Sequence, residues 1–153
     1  MAATAPKHLK DLDVFEKRYA DSPTEYGALY DANGDLVVAR HGEEKSIEFT
    51  PEELEKAKGG VLSHDHPHGH DLSSADMALA LQHNLELRAT GNTPWGFRTY
   101  SIMPHRSVQD TTSLTQHYEK TYQMEKLLGK DPYKAREATV EKTARQFGMT
   151  RKV

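Results

Sequence analysis

Apolar positions Leu9, Leu12, Val14 and Phe15 mark one face of a short amphipathic helix, which the Asp21-Ser22-Pro23 segment ends. Beyond it the period changes to two. Tyr26, Ala28 and Tyr30 on one side, and Leu36, Val37 and Val38 on the other, flank Asp31-Ala32-Asn33-Gly34-Asp35, where Asn-Gly tolerates the positive φ of a tight turn. This pattern predicts an antiparallel hairpin. A third strand is expected from Ser46 to Phe49, followed by Thr50-Pro51-Glu52-Glu53: a threonine cap, a proline suited to the first turn, and a glutamate three residues on that completes a capping box. That helix should stop at Gly59-Gly60. Val61 to Ser63 read as a short buried strand, Pro67 to Leu72 as a loop, and Ser73 as the cap of a helix packed through Met77, Leu79, Ala80 and Leu81. Leu85, Leu87 and Ala89 then alternate as in a strand, and Phe97, Tyr100 and Ile102 predict one more.

After Pro104 the chain becomes more polar, with Leu114, Tyr118, Leu127 and Leu128 at partly helical spacing, a break at Gly129-Lys130-Asp131-Pro132, and a second helical stretch through Phe147. The expected organisation is a core over residues 1–104 and a helical extension over 105–153. Its class is α/β in the α+β sense: a mostly antiparallel mixed sheet flanked by helices.

The chain of 153 residues is long enough for one core and short for two. Its 20 basic and 23 acidic residues are interspersed, for a net charge of −3, which gives no reason to expect a nucleic-acid or anionic-membrane partner. The absence of cysteine removes disulfides, thiolate zinc sites and cysteine nucleophiles together, leaving histidine and carboxylates as metal ligands. No apolar run approaches the ~20 residues of a membrane-spanning helix, and the polar N-terminus lacks a signal-peptide core. The expected location is the cytoplasm, or outside the cell by a route without a conventional signal.

Candidate chemistry concentrates in Ser63-His64-Asp65-His66-Pro67 and the following Ser73-Ser74-Ala75-Asp76. Histidines two apart in an extended segment point to the same side, so His64 and His66 can reach one ion, and Asp76 at the start of the next helix can add a third ligand. Three protein ligands with an open fourth position are the catalytic form of a zinc site, in which the metal lowers the pKa of bound water to about 7. The simpler readings are surface histidines in a polar loop, a first-turn carboxylate for Asp76 and an ordinary cap for Ser73. His68 and His70 are read as exposed loop residues, although His64, His66, His70 and Asp71 offer an alternative cage on the same loop.

The His-x-His-Pro segment, the Ser-x-x-Asp opening of a helix, and the earlier Glu-x-Gly-x-Leu at Glu25 to Leu29 together resemble the JAMM/MPN+ metalloprotease family. The similarity covers roughly Thr24 to Ile102 and is nearest the prokaryotic and phage JAB-like branch, including RadC-like proteins. The resemblance implies a JAB/MPN-like fold, Zn2+ held by His64, His66 and Asp76, Glu25 as general base, and Ser73 as a donor to the oxyanion. Each role has a chemical reason. Hydrolysis of an amide requires a proton to leave water and another to reach the amine, and a carboxylate can carry both. A serine hydroxyl can share the developing negative charge.

The implied activity is zinc-dependent cleavage of a peptide or isopeptide bond in a peptide or protein substrate, a ubiquitin-like tail among them. Two alternatives accompany it: a non-catalytic JAB-like binding module, and an amide hydrolase acting on cell-wall peptide or as a delivered toxin domain. The loop of six residues from Pro67 to Leu72 is one residue shorter than the family's usual spacing, which keeps the binding module in view. Glu43, Glu44 and Glu48 are neighbouring carboxylates that compete with Glu25 for the role of base. Trp95 is read as a loop anchor between two strands, Arg151-Lys152 as a solvated tail, and Tyr118, Tyr122 and Tyr133 as residues packing the helical extension against the sheet or a second copy.

Overall fold

The hairpin encoded around Asn33-Gly34 forms as strands β1 (Glu25–Tyr30) and β2 (Leu36–Gly42), with Gly34 at φ 84° in the turn. The computed structural model describes residues 4–22, 24–42 and 47–153. A 3-10 turn at Leu9–Asp11 leads into α1 (Leu12–Tyr19), and α2 (Pro51–Lys56) follows the hairpin. Then come β3 (Val61–Asp65), α3 (Ser74–His83), β4 (Glu86–Thr93), β5 (Gly96–Pro104), α4 (Thr112–Leu127), α5 (Pro132–Gln146) and β6 (Met149–Lys152).

The strands make one six-stranded mixed sheet in the order β2-β1-β3-β4-β5-β6. Only β3 and β4 run parallel, joined by the α3 crossover, and the other pairs are antiparallel. The α+β class expected from the sequence is the observed one. No described helix is long and apolar enough to cross a membrane.

Alternation along the strands assigns each residue to one of two faces. Tyr26, Ala28, Tyr30 and Val61 pack against Leu12, Phe15 and Tyr19 of α1. The opposite face carries Leu29, Leu62, Leu87 and Ile102 against Leu54 of α2 and Met77, Ala80 and Leu81 of α3. Leu114 and Tyr118 of α4 and Val140 and Ala144 of α5 belong to that same core, so residues beyond 104 share the interior of the sheet domain. Complete burial of a leucine side chain contributes about 1.5–3 kcal/mol, which is why the stripe of α3, rather than its polar face, fixes its orientation.

The predicted capping box forms at α2, and the predicted Ser73 cap of α3 proves to be a second one. Thr50 Oγ1 accepts the N–H of Glu53 at 3.2 Å while Glu53 accepts that of Thr50 at 2.8 Å, and Ser73 and Asp76 do the same at α3. The Glu53 carboxylate also receives both guanidinium nitrogens of Arg40, each at 2.7 Å, which ties α2 to β2.

Three expectations differ from the structure. Val14 is 59% exposed, because the buried stripe of α1 runs through Leu12, Phe15 and Tyr19 and leaves Val14 on the opposite side. Ile47 to Phe49 do not form a strand; they cross the sheet above Gly27, where an added Cβ would sit 2.9 Å from Ile47 Cγ2 and 3.0 Å from Phe49 Cζ. Ser46, the expected start of that strand, lies outside the described residues, as do Glu43 and Glu44. The C-terminal Arg151-Lys152 is not a solvated tail but part of β6, paired with Ser101 to Pro104 of β5.

Candidate metal centre

β3 delivers His64 to the face of the sheet that carries α3, and His66 follows two residues later on the same side. The β1–β3 ladder ends at the Gly27–His64 pair. Beyond it the Tyr26 N–H donates instead to the side chain of Asp65, at 2.8 Å, so the two strands part where continued pairing would set Glu25 against His66. That parting opens a cleft of about 460 Å³, lined by Glu25, His64, Asp65, His66, Ser73 and Asp76, with Ile47, Ala75 and Leu79 as apolar walls.

One ligand atom each from His64, His66 and Asp76 lies within 4.8 Å of the others, the one such group among the described residues. His66 Nε2 is 3.3 Å from Asp76 Oδ2, and His64 Nε2 is 3.6 Å from Asp76 Oδ1. Donor atoms around a tetrahedral zinc ion with bonds of 2.0–2.1 Å stand about 3.3–3.4 Å apart, so these gaps are of the size such an ion spans. Two further features fit a cation. His64 Nε2 is buried without a hydrogen-bond partner, which is costly unless an ion takes its lone pair. The Nδ1 of His66 is 2.6 Å from the carbonyl of His70; a proton there donates to that oxygen and leaves Nε2 directed at Asp76.

The electrostatics follow from burial and from this proximity. Desolvation pushes His64 down to about 4, against the opposing pull of Asp76. Burial also disfavours charge on His66, but the Asp76 carboxylate and the His70 carbonyl outweigh it and hold its pKa above the ordinary histidine value. Desolvation opposes ionisation of Asp76 as well, yet His64, His66 and the Ser73 N–H prevail and lower its pKa. Asp65, which the sequence reading passed over as the residue between two ligands, is raised to about 6 by burial, with the nearby Glu25 adding to the effect and the Tyr26 N–H opposing it.

Each residue assigned from the sequence therefore lines one cleft: His64, His66 and Asp76 on its floor, Glu25 from the start of β1, and Ser73 from the start of α3. Ser73 Oγ accepts the Asp76 N–H at 3.1 Å, so its cap is real and its own hydroxyl hydrogen stays available as a donor. The alternative cage does not assemble. Asp71 is turned away from the histidines to Arg151, and the ring of His70 stacks on Tyr133 with centroids 4.2 Å apart. His68 is exposed, whereas His70 is half-buried by that stacking rather than free in a loop. Trp95 is 52% exposed at the β4–β5 turn and meets the edge of Tyr133.

The loop between His66 and Asp76 is held by elements distant from it in the sequence. Gly69, at φ 71°, lies so close to β4 that a Cβ would fall 2.3 Å from the Asn92 carbonyl oxygen. Tyr133 donates to the His68 carbonyl and Tyr118 to the Leu72 carbonyl, each at 2.6 Å. Arg151 forms a two-pronged pair with the buried Asp71 carboxylate, its Nη1 3.0 Å from Oδ1 and its Nη2 on Oδ2. No sequence motif marks Asp71 or Arg151 as partners, since they lie 80 residues apart. No protein-family model, curated protein or solved structure matches this chain.

Proposed function

We propose that the chain is a zinc-dependent hydrolase of JAMM type that cleaves a peptide or isopeptide bond. The observation that carries this reading is the convergence of the three donors of His64, His66 and Asp76 in a cleft that also presents Glu25 and Ser73. His64, His66 and Asp76 would hold the ion; two imidazoles and one carboxylate suit zinc better than magnesium, which prefers oxygen ligands and near-octahedral geometry. When bound there, zinc supplies Lewis acidity toward the scissile carbonyl and makes water nucleophilic near neutral pH.

The remaining work falls to the protein's own groups. Glu25 takes a proton from the attacking water and returns one to the departing amine nitrogen, so that a C–O bond forms, a C–N bond breaks, and the carboxylate ends as it began. Ser73 donates its hydroxyl hydrogen to the carbonyl oxygen as negative charge develops there. Burial of His64 and the parting of β1 from β3 confine these groups to one side of the sheet. The substrate is a polypeptide: a linear peptide, a ubiquitin-like tail and a cell-wall peptide all present the carbonyl that this chemistry requires.

The test is metal content by elemental mass spectrometry on the purified chain and on Asp76→Ala and His66→Ala, followed by amide hydrolysis with Glu25→Gln as control. The expected result is near one zinc per native chain, loss of zinc in both variants, and a Glu25→Gln protein that keeps zinc but loses about 10²- to 10⁴-fold in turnover. Absence of metal from the native chain after incubation with zinc would favour the non-catalytic binding module instead.

A further inference from the structure

We infer that Arg151, on the last strand of the sheet, is a positioning residue for the metal centre: through Asp71 it fixes the His70 carbonyl that orients the ring of His66. The inference rests on the metal reading above and goes beyond it. It concerns a residue that touches neither substrate nor metal, on an element outside the region that carries the family likeness.

The linkage is short and dry. Arg151 places two guanidinium nitrogens on the carboxylate of Asp71, whose side chain is fully buried, and Asp71 Oδ1 also accepts the N–H of Leu72 at 2.7 Å. Leu72 is in turn held by Tyr118, whose hydroxyl reaches its carbonyl and receives Arg136 Nη1 at 3.0 Å. Residues 70 to 72 are thus clamped from β6 and α4. On one side of the clamp the His70 carbonyl is 2.6 Å from Nδ1 of His66; on the other, Ser73 begins the helix that carries Asp76. A six-residue loop has little slack, so the clamp sets both the tautomer of one ligand and the helix start that presents another.

A planar, two-pronged arginine pair is well suited to this role, because it fixes the carboxylate in angle as well as distance. Lost support to a metal-ligating histidine typically weakens metal binding 10- to 100-fold. An effect confined to stability would not do that, and this difference separates a positioning role from a merely structural one.

The experiment uses the full chain and zinc(II) as probe, with affinity read by competition against a chromophoric chelator. Arg151→Met is expected to weaken zinc binding at least tenfold with the far-ultraviolet circular dichroism unchanged. The double variant Asp71→Asn/Arg151→Gln, which replaces the ion pair by a neutral hydrogen-bonded pair, should recover most of that loss and serves where the single variant folds poorly. Glu125→Gln breaks the tie of Glu125 to Lys130 and Lys142, which joins α4 to the following turn and α5 without a hydrogen bond to residues 70 to 72, and should lower the melting temperature while leaving zinc affinity within twofold.

Imidazole nitrogen spectra of the metal-free chain give a readout that needs no zinc. His66 should carry its proton on Nδ1 at alkaline pH in the native chain and exchange between tautomers in Arg151→Met. Unchanged zinc affinity and an unchanged tautomer in Arg151→Met would overturn the inference, as would equal loss of affinity in Glu125→Gln. A native chain that ignores zinc but shows the tautomer change would refute the hydrolase reading and the metal centre with it, and leave standing only the hold of Arg151 on the His66 ring through Asp71.

Discussion

His66 Nε2 and Asp76 Oδ2 lie 3.3 Å apart, and the same aspartate oxygen accepts the backbone N–H of Ser73 at 2.9 Å. One carboxylate therefore serves the end of a helix and the proposed metal centre. The two duties separate by substitution. Asp76→Asn keeps an acceptor for the Ser73 N–H but no anionic ligand, and Asp76→Ala removes both. Both variants should lose zinc, while only Asp76→Ala should also lose the reciprocal bond of the capping box, from the Ser73 N–H to the side chain of residue 76, at a cost of about 1 kcal/mol. Chemical denaturation of the metal-free proteins measures the difference; equal stability of the two variants would show that the capping role is negligible.

Removal of metal should lower thermal stability. His64 Nε2 is buried without a hydrogen-bond partner, and an ion that binds the folded chain alone stabilises it by mass action. At free zinc a thousandfold above Kd this amounts to about 4 kcal/mol, or roughly 10 °C for a chain of this size. Differential scanning fluorimetry with zinc, with magnesium and with chelator reads it directly: zinc raises the melting temperature and magnesium leaves it unchanged. A shift with magnesium equal to that with zinc would reject the assignment of the donor set.

Ser73 also has two duties, and alanine and glycine divide them. Both remove the hydroxyl, but glycine at a helix cap costs only a few tenths of a kcal/mol whereas alanine costs about 1 kcal/mol. If the hydroxyl donates to the oxyanion, Ser73→Ala and Ser73→Gly lose the same factor in kcat, about 10²- to 10³-fold, despite unequal stability. A loss that follows stability rather than the hydroxyl would make Ser73 a cap and nothing more.

The Arg40–Glu53 pair predicts the acid limb of the stability curve. Two guanidinium hydrogen bonds, with the Thr50 N–H, hold the Glu53 carboxyl down at about 2, below its ordinary value. A folded-state pKa lowered in this way adds stability that is complete above the ordinary glutamate range and is lost as pH falls toward about 2. Urea midpoints of the native chain and Glu53→Gln should therefore differ by a constant amount near neutrality and converge between roughly pH 4 and pH 2. Parallel curves throughout that range would show that Glu53 titrates alike in the folded and unfolded chains.

Local chemistry made much of this molecule legible in its sequence. Asn33-Gly34 located the hairpin and Thr50-Pro51 with Glu53 located α2, because turns and caps are decided by residues a few positions apart. His64, His66 and Asp76 were recognisable for the same reason: a strand, a loop and a helix start in immediate succession bring them together. What the sequence concealed depends on distant partners. β6 is only four residues long, with Arg151 and Lys152 in it, and it becomes a strand through pairing with β5. Asp71 looked like a spare ligand until Arg151 claimed it. Ile47 to Phe49 have the composition of a strand, but their place above Gly27 is a matter of packing on the sheet face rather than pairing at its edge.

The side chains that hold the loop between the ligands, Tyr118, Tyr133 and Arg151, all come after the ligands in the chain. During synthesis His64, His66 and Asp76 leave the ribosome before any of these three exists, so the early chain carries a complete donor set on an unsupported loop. Accurate seating of the proposed ion would then wait for β6 to dock, and an ion captured earlier would meet a softer and less selective site.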